Sequence, residues 1–218
     1  MPNERRRKGI ASRSVSTWLA REPTKLSLAA LKDFQGARRR QEELRKDARV
    51  AVIEDFGHHP TAVRETLAAL RRRYPGRKLL ACLEPRSNTA RTRAWQAELP
   101  GALAEADEVF IGPIHRAEKT PAAERLDLAA VCAEVNAGAG RDIALPGGGD
   151  ASTAKRAQQD CAPTVVRGVV KARHFATNRE VLAAVLAASK ALGAAPHAVA
   201  FFTNGSFDGI VGEFVKGA

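Results

Sequence analysis

The sequence predicts an α/β fold in which a Rossmann-like, doubly wound and mostly parallel sheet is flanked by helices. Short apolar runs suited to buried strands alternate with segments of helical period, an alternation that is typical of parallel sheets. A hydrophobic share of 44% and a charged share of 27% are ordinary for a globular protein, and 218 residues can bury one sizeable core. These observations favour one α/β domain over residues 24–218.

The first predicted strand covers residues 51–54 and ends in a polar loop. An amphipathic helix is expected over residues 60–74, before a Pro-Gly pair that ends it. Its apolar residues recur at helical spacing at Val63, Leu67 and Leu70. Upstream, a short helix is expected over about residues 24–32, with a threonine as its N-cap.

The middle of the chain continues the alternation. Residues 78–83 form an apolar run suited to a buried parallel strand, and residues 108–111 form the next one. Between them a helix is expected over about residues 91–106, with Pro100 bending or interrupting it. A further helix is expected over residues 126–137, before a glycine-rich turn.

One later segment, residues 146–175, fits the alternation least well and is interpreted as an insertion or as divergent sequence. Within it, residues 164–170 could add a strand or a hairpin. A strong helix is expected over residues 180–192, capped by Asn178. The remaining predicted elements are strands at 142–145 and 198–202 and a last short helix.

The net charge of +11 is unevenly distributed, because the first 49 residues carry +8 of it. Residues 1–23 contain a basic cluster and several serines without a sustained period, so we expect a basic, flexible arm or linker there. Basic arms often bind nucleic acid. A non-catalytic module that binds nucleic acid through this arm is therefore the alternative hypothesis for function.

The three cysteines, Cys82, Cys132 and Cys161, form no C-x-x-C pair. An odd and scattered set argues for reduced thiols and against a disulfide framework or a zinc site. The chain also has no apolar run near the ~18 to 20 residues of a membrane span and no signal-peptide core. We therefore expect a cytoplasmic protein without a membrane partner.

Three polar segments, residues 55–59, 84–89 and 203–208, each follow a predicted strand. Parallel strands bring their carboxyl ends to one edge of a sheet, where ligands bind, so this edge is the predicted site. The pattern alone leaves open whether Asp55 binds a ligand or caps the following helix. Metal ligation by the adjacent histidine pair is not expected, because neighbouring side chains diverge and no partner follows at helical spacing.

Four ordered motifs carry a family resemblance. They are FQGARRRQE at 34–42, EDFGHHPT at 54–61, LEPRSNT at 83–89 and TNGSFDGI at 203–210. In this order they resemble the C-terminal domain of the Mur ligases, which join amino acids or peptides to UDP-N-acetylmuramic acid. The last two motifs are similar to those of the murein peptide ligase branch, which reattaches recycled L-Ala-γ-D-Glu-meso-diaminopimelate.

The resemblance implies an ATP-dependent acid–amino-acid ligase. Such enzymes activate a carboxylate as an acyl phosphate, and cations with Mg²⁺ stabilise the negative charge that develops when the amine attacks. The implied cofactor-binding residues, for the phosphates, ribose and base of ATP, are Arg40, Asp55, Phe56 and His58. The implied substrate-binding residues, for the carboxylates and polar groups of a muramyl peptide, are Arg86, Ser87, Asn88 and Asn204.

The chain also departs from the family pattern. It contains no G-x-x-x-x-G-K-[ST] loop, so ATP and Mg²⁺ are expected to be bound mainly by a central domain outside these 218 residues. No catalytic residue is expected in this chain alone, and ligation would need a chain that carries the missing ATP-binding domain. Ala90 and Arg91 replace a usual Met-Lys, and Asp208 stands where glycine is usual.

Overall fold

A six-stranded sheet organises the residues that the computed structural model describes, 36–138 and 170–218. All of them lie in the unit Gly36–Ala218. The strands are β1 (Glu42–Lys46), β2 (Val50–Asp55), β3 (Lys78–Leu83), β4 (Glu108–Ile111), β5 (Lys171–His174) and β6 (His197–Phe202). The α-helices are α1 (Pro60–Arg73), α2 (Leu99–Leu103), α3 (Leu128–Asn136), α4 (Asn178–Ala191) and α5 (Ile210–Gly217).

The strand order is β1-β2-β6-β3-β4-β5, and only the β1–β2 pair is antiparallel. Strand β6 lies in the interior of the sheet, where Phe202 is in register with Asp55 of β2 and Leu83 of β3. The three strands therefore end side by side. The mostly parallel sheet flanked by helices that the sequence predicts is confirmed.

Two apolar cores lie on opposite faces of the sheet. Helices α1, α2 and α3 contribute to one core, and α4 and α5 contribute to the other. Successive side chains of a strand point to opposite faces, so Ala51 and Ile53 join the first core while Val50 and Val52 join the second. Because both faces are covered, β6 is a continuous buried run, His197–Phe202.

The connections on each side of β6 run in the way that favours a ligand site. The chain leaves β2 and β3 toward α1 and α2 on one face, whereas it leaves β6 toward α5 on the other face. In doubly wound sheets ligands bind where neighbouring strands send their connections to opposite faces. The carboxyl ends of β2, β6 and β3 are therefore the favoured position for a site.

Strand β1 was not expected from the sequence. Its residues are EELRK, and a bulge between Glu43 and Arg45 shifts its pairing with β2. Charged residues are rare in interior strands but are common on exposed edges, where they oppose pairing with other chains. Strand β1 forms because it can pair with the backbone N–H and C=O groups of β2, although the sequence of β1 has little strand preference.

The prediction of one helix over about residues 91–106 is wrong. The chain forms a short 3₁₀ turn at Arg93–Trp95 and then the short helix α2. Pro100 stands in the first turn of α2, where its missing N–H group costs no hydrogen bond. Proline therefore contributes to the start of a helix here rather than interrupting one.

Strand β5 lies within the segment that was interpreted as an insertion. It pairs in parallel with β4, and only Ala172 among its residues is buried. The side-chain amide of Asn136 donates to the carbonyl of Ala172 (3.1 Å) and accepts from its N–H (2.7 Å). The amide of Asn136 thus bonds to the strand as a neighbouring backbone would.

Several predictions fall outside the described residues. They are the basic arm at 1–23, the helix at 24–32, the strand at 142–145, and residues 164–169 of the added strand or hairpin. None of the helices in residues 36–138 and 170–218 combines the length and apolar character needed to cross a membrane.

Two cysteines in the described residues, Cys82 and Cys132, are buried free thiols. Burial raises the pKa of both, that of Cys132 to about 11. The thiolate is the nucleophilic form, so these side chains are packing residues rather than reactive ones.

A buried histidine joins α4 to the amino-terminal end of β6. The ring of His197 donates from Nδ1 to the carbonyl of Ala195 (3.0 Å), and its Nε2 accepts from the hydroxyl of Ser189 (2.8 Å). The residue is fully buried, and this desolvation lowers the pKa of the imidazole. The charges of nearby Arg49 and Arg77 also lower this pKa, whereas Asp47 and the hydrogen bond to the Ala195 carbonyl raise it.

The free energy of unfolding is expected to fall as the pH drops below about 6.5, the ordinary pKa of histidine. Below that pH the histidine of the unfolded chain binds a proton that the folded His197 does not bind. The free energy of unfolding therefore falls by up to about 1.4 kcal/mol per pH unit. Urea unfolding between pH 7.5 and 5.5 measures this loss. A Ser189→Ala/His197→Leu double variant should lose that part of the pH dependence, whereas the exposed His174→Gln variant should keep it. Equal slopes in both variants would contradict the assignment.

Candidate functional site

The site begins with a loop, residues 36–41, that lies beside the carboxyl end of β2. Arg39 and Gln41 have positive φ angles of 57° and 49°. The buried carboxylate of Asp55 holds this loop, because Oδ2 accepts from the Gln41 N–H (2.8 Å) and Oδ1 accepts from the Gly57 N–H (2.5 Å). The alternative in which Asp55 caps the following helix is wrong.

Arg39 joins the end of β2 to the polar segment that follows β6. Its Nε donates to Glu54 (2.9 Å) in β2, and its Nη2 donates to the carbonyls of Thr203 (2.8 Å) and Gly205 after β6. A guanidinium has five donors in a fixed plane, so one side chain can hold two loops. The sequence match considered only its neighbour, Arg40.

An aromatic ring, Phe56, lies among cationic and imidazole side chains. The guanidinium carbons of Arg39 and Arg40 each lie 5.4 Å from its centroid, within the range of cation–π attraction. His58 meets the ring edge-on at 5.8 Å, and its Nδ1 donates to the Phe56 carbonyl (3.1 Å). Three of the four predicted cofactor residues, Arg40, Phe56 and His58, are thus in contact, and Phe56 directly follows the fourth, Asp55, in sequence. Arg40 is exposed, which leaves its N–H groups available to a ligand.

His59 caps α1 with its imidazole. Its Nδ1 accepts from the Thr61 N–H (3.3 Å), and Pro60 is the first helical residue. The rings of His58 and His59 lie 6.1 Å and 5.2 Å from that of Trp95. Both histidines have packing partners here. Across the two described ranges, no three His, Cys, Asp or Glu side chains are grouped so as to hold a metal ion.

Glu84, at the carboxyl end of β3, is a buried carboxylate with three side-chain partners. The hydroxyl of Thr203 donates to Oε2, while Arg86 (3.3 Å) and Asn178 (3.5 Å) donate to Oε1. The Thr203 hydroxyl also accepts from the Gly205 N–H (3.0 Å). A buried charge needs such partners because it has lost its hydration. Glu84 therefore connects the ends of β3 and β6 to the start of α4.

Arg86 lies across the turn that follows β6. A Cβ atom on Gly205 would overlap the Arg86 side chain, so this close approach requires glycine. The Arg86 side chain is 28% exposed and pairs with Glu84 through Nη1. Its other N–H groups are free to donate to an anionic ligand.

Ser87 and Asn88 form hydrogen bonds within their own loop. The Ser87 hydroxyl accepts from the Ala90 N–H (3.1 Å), and the Asn88 side-chain oxygen accepts from Arg91. Arg91 is buried and also donates to the carbonyl of His115 (3.3 Å). The arginine that replaces the family's lysine thus fixes the position of Asn88.

Asn178, predicted as the cap of α4, has a different role. The cap is Thr177, whose hydroxyl accepts from the Glu180 N–H (3.2 Å) while the Glu180 carboxylate accepts from the Thr177 N–H (3.0 Å). This is a reciprocal capping box. Asn178 is instead buried and donates to Asp208 (2.7 Å) and, more weakly, to Glu84.

The turn between β6 and α5 holds two polar residues of note. Asp208 has a φ of 49°, in the left-handed region that aspartate tolerates better than most residues. The Asn204 side-chain oxygen is buried and accepts no hydrogen bond from the residues that the structure describes. Buried acceptors are rarely left unpaired, which makes this amide a candidate partner for a ligand's donor.

The charged groups of Arg86, Glu84 and Asp208 influence the imidazole of His115. Burial lowers the pKa of its imidazole, as do the positive charges of Arg86 and Arg116, while Glu84 and Asp208 act in the opposite direction. The ring is therefore mainly neutral near pH 7.

The eight predicted residues lie in two groups at the carboxyl ends of β2, β3 and β6. The cofactor group is centred on Phe56, and the substrate group lies in the loops that Glu84 connects. Sequence reasoning missed the residues that hold these groups in place, which are Arg39, Glu84, Arg91 and Asn178. For Asn178 a signal existed, because the T-x-x-E sequence identifies the preceding threonine as the cap.

Comparisons with known proteins agree with these motifs. Residues 39–191 match the family described as "Mur ligase, glutamate ligase domain". The chain is 38% identical over 130 residues to the UDP-N-acetylmuramate–L-alanine ligase of Chloroflexus aggregans. It is 50% identical over 84 residues to the UDP-N-acetylmuramate–L-alanyl-γ-D-glutamyl-meso-2,6-diaminoheptandioate ligase of Escherichia coli K12.

These matches cover 59% and 38% of this chain, but only 26% and 18% of the two relatives. Among solved structures, a murein peptide ligase from Psychrobacter arcticus superposes with a TM-score of 0.53 at 23% identity. That match covers 87% of this chain and 32% of the other. The structural likeness supports the fold, and the chain spans about a quarter or less of the curated relatives' length.

Proposed function

Because this chain belongs to the Mur ligase family, by its match to the glutamate ligase domain, we propose that it is the part of an ATP-dependent ligase that binds the nucleotide's ribose and base and the incoming peptide. The ligase would join a peptide to UDP-N-acetylmuramate in cell-wall recycling. The names of the two relatives describe the ligation of L-alanine and of L-alanyl-γ-D-glutamyl-meso-2,6-diaminoheptandioate to UDP-N-acetylmuramate. A separate domain or chain would supply the phosphate-binding loop.

One observation carries the proposal: both residue groups lie at the ends of three adjacent parallel strands, and Arg39 connects them. Its guanidinium bonds to Glu54 in β2 and to the carbonyls of Thr203 and Gly205 after β6. This edge has the connections to opposite faces that favour ligand binding. A nucleotide at one group and a peptide at the other would then lie next to each other.

The cofactor group suits an aromatic and anionic ligand. Phe56 and His58 offer ring faces and edges for a base, and the exposed Arg40 offers a bidentate donor for phosphate oxygens. Each Asp55 oxygen already accepts one backbone N–H and keeps one acceptor site for a ribose hydroxyl.

The residues of the cofactor group suit a nucleotide, and the metal that accompanies it needs ligands of its own. In the described parts of the chain no cluster of carboxylate, histidine or cysteine ligands is present, so Mg²⁺ would be held by phosphates and by another domain. ATP would supply the phosphoryl group that activates the muramate carboxylate. This chain would orient the base and ribose and would position the amine of the peptide.

Replacing Arg40 with alanine is expected to weaken Mg-ADP binding about tenfold to a hundredfold, the cost of losing a charged hydrogen-bond donor to phosphate. Isothermal calorimetry on the full 218-residue chain measures this. Asp55→Asn should also weaken binding, because the amide donors of asparagine disturb the contacts to Gln41 or Gly57 as well as any ribose contact.

Arg38→Ala is the matched control. It removes the same charge from the same exposed loop, two residues from Arg40. Circular dichroism should show all three variants folded. Equal affinities for wild type and Arg40→Ala, or an equal loss in Arg38→Ala, would contradict the assignment of Arg40.

A further inference from the structure

We propose that Asn204 and Gly205 form a site of spontaneous covalent modification, at which Asn204 deamidates, and that the native fold holds the pair in an unreactive arrangement. They are the one Asn-Gly pair in the 218 residues. Glycine has no Cβ, so its backbone nitrogen can approach the side-chain carbonyl of a preceding asparagine with little steric hindrance. The co-reactant is water, and the reaction requires neither a nucleotide nor a peptide.

The reaction begins when the Gly205 backbone nitrogen attacks Cγ of the Asn204 side chain. A new C–N bond closes a five-membered succinimide, the attacking nitrogen loses its proton to water, and the side-chain nitrogen leaves as ammonia. Water then adds to one of the two ring carbonyls and breaks its bond to the ring nitrogen. Opening at Cγ gives aspartate, whereas opening at the backbone carbonyl gives isoaspartate, which adds one carbon to the main chain.

The attacking nitrogen is held by a chain of hydrogen bonds. The Gly205 N–H donates to the hydroxyl of Thr203 (3.0 Å), and that hydroxyl donates to the buried carboxylate of Glu84. Arg39 fixes the backbone on both sides, because it donates to the carbonyls of Thr203 (2.8 Å) and Gly205. The nitrogen must lose its proton to become a nucleophile, and the bond to Thr203 stabilises the protonated form. Attack therefore requires a local opening of this loop.

The Asn204 side chain is not held in the same way. Its Oδ1 is buried and accepts no hydrogen bond from the part of the chain that the structure describes. Protection of the pair therefore depends on the backbone of Gly205 and on its acceptor, Thr203. The glycine itself is required by packing, because a Cβ at this position would overlap the Arg86 side chain. The packing of Arg86 thus explains why the fold keeps a residue that makes its neighbour reactive.

Modification would change both the charge and the shape of this loop. Either product brings a carboxylate in place of a neutral amide. Isoaspartate also lengthens the main chain between Thr203 and Gly205, the two residues whose carbonyls Arg39 holds together. A guanidinium has a fixed geometry, so we expect the isoaspartate form to lose at least one of these two bonds.

Mass spectrometry of the full 218-residue chain measures the reaction. Native and urea-unfolded samples are incubated at pH 8 and digested, and the peptide that contains residue 204 is tested for the exchange of an amide for a carboxyl group. The unfolded chain should be modified at least about tenfold faster, the factor that corresponds to a local opening free energy of about 1.4 kcal/mol. Asn136, which alanine follows, is the internal reference and should react more slowly than Asn204 in the unfolded chain.

Three variants test the role of the Thr203 hydroxyl in the folded chain. Thr203→Val removes the acceptor of the Gly205 N–H and keeps the shape, so the rate should rise about threefold to tenfold, the effect of losing one hydrogen bond. Thr203→Ser keeps the hydroxyl and should restore a rate near that of wild type. Thr66→Val changes a buried threonine of α1 and is the matched control, which should leave the rate unchanged.

A fourth variant, Asn204→Gln, identifies the site without relying on a folded protein. Glutamine would need to close a larger ring, so the modification should disappear from the unfolded chain. The site is overturned if unfolded wild type stays unmodified or if Asn204→Gln reacts as wild type does. Protection by the fold is overturned if native and unfolded wild type react equally fast. The role of Thr203 is overturned if folded Thr203→Val reacts as slowly as wild type.

Discussion

Replacing Phe201 with alanine is expected to lower the free energy of unfolding by about 3 to 5 kcal/mol, the range for a large aromatic removed from a packed core. Phe201 is fully buried in β6. Its ring meets those of Phe207 and Phe214 edge-on, at 6.1 Å and 5.5 Å. The cavity would therefore open between an interior strand and the helix α5, where neighbouring strands prevent collapse.

Urea unfolding followed by circular dichroism measures the loss. Leu44→Ala is the matched control, because Leu44 is the exposed large apolar residue of edge strand β1, and surface changes usually stay within about 0.5 kcal/mol. A shift for Phe201→Ala no larger than that for Leu44→Ala would mean that the contact between β6 and α5 is not a structural core.

The Glu84→Ala variant is expected to lose about 2 to 4 kcal/mol of stability, because Thr203, Asn178 and Arg86 would all lose a buried acceptor. The estimate lies below that for a fully buried pair since Arg86 is partly exposed. If the proposed function holds, the same change also weakens peptide binding, because Arg86 would no longer be held over Gly205.

Two further variants separate charge from shape. Glu84→Gln keeps one acceptor oxygen and should cost about half as much or less. Glu65→Ala removes an exposed carboxylate whose ion pair with Arg64 is 3.6 Å long, and should change stability by no more than about 0.5 kcal/mol. The role of Glu84 would be refuted if its alanine variant unfolded at the same urea concentration as the Glu65→Ala protein.

Much of the sheet was predictable because its interior strands bury both faces. Residues 79–83 and 198–202 are uninterrupted apolar runs, and few structures other than a buried parallel strand satisfy them. Helix α1 was predictable for a related reason, since Val63, Leu67 and Leu70 recur at helical spacing and all pack into one core.

The edges of the sheet were not predictable. Strands β1 and β5 each have little apolar sequence, and β5 contributes only Ala172 to the core. Their structure depends on pairing with the backbone of the neighbouring strand, and the local sequence does not show this pairing. The helix expected over about 91–106 does not form as one unit, because residues 93–95 form a 3₁₀ turn and Pro100 stands in the first turn of α2 instead of bending a longer helix.

The predicted site residues were selected by motif, and their neighbours were not. Motifs indicate side chains that face a ligand, whereas Arg39 and Asn178 hold the loops from distant parts of the sequence, as in the contact of Arg39 with Gly205. Such contacts become visible only when the fold brings them together. The departure at Asp208 was visible in the sequence, but its pairing with Asn178 was not.

The bond between Asn136 and Ala172 has a consequence for the behaviour of the protein at high concentration. An exposed strand edge is a template on which a strand of another molecule can add, and this is one route to aggregation. At β5 the outward N–H and carbonyl of Ala172 are already engaged by the Asn136 amide. At the opposite edge, the bulged and charged β1 presents a poor surface for addition. In the described sheet, both edges therefore carry features that oppose the addition of a strand from another molecule.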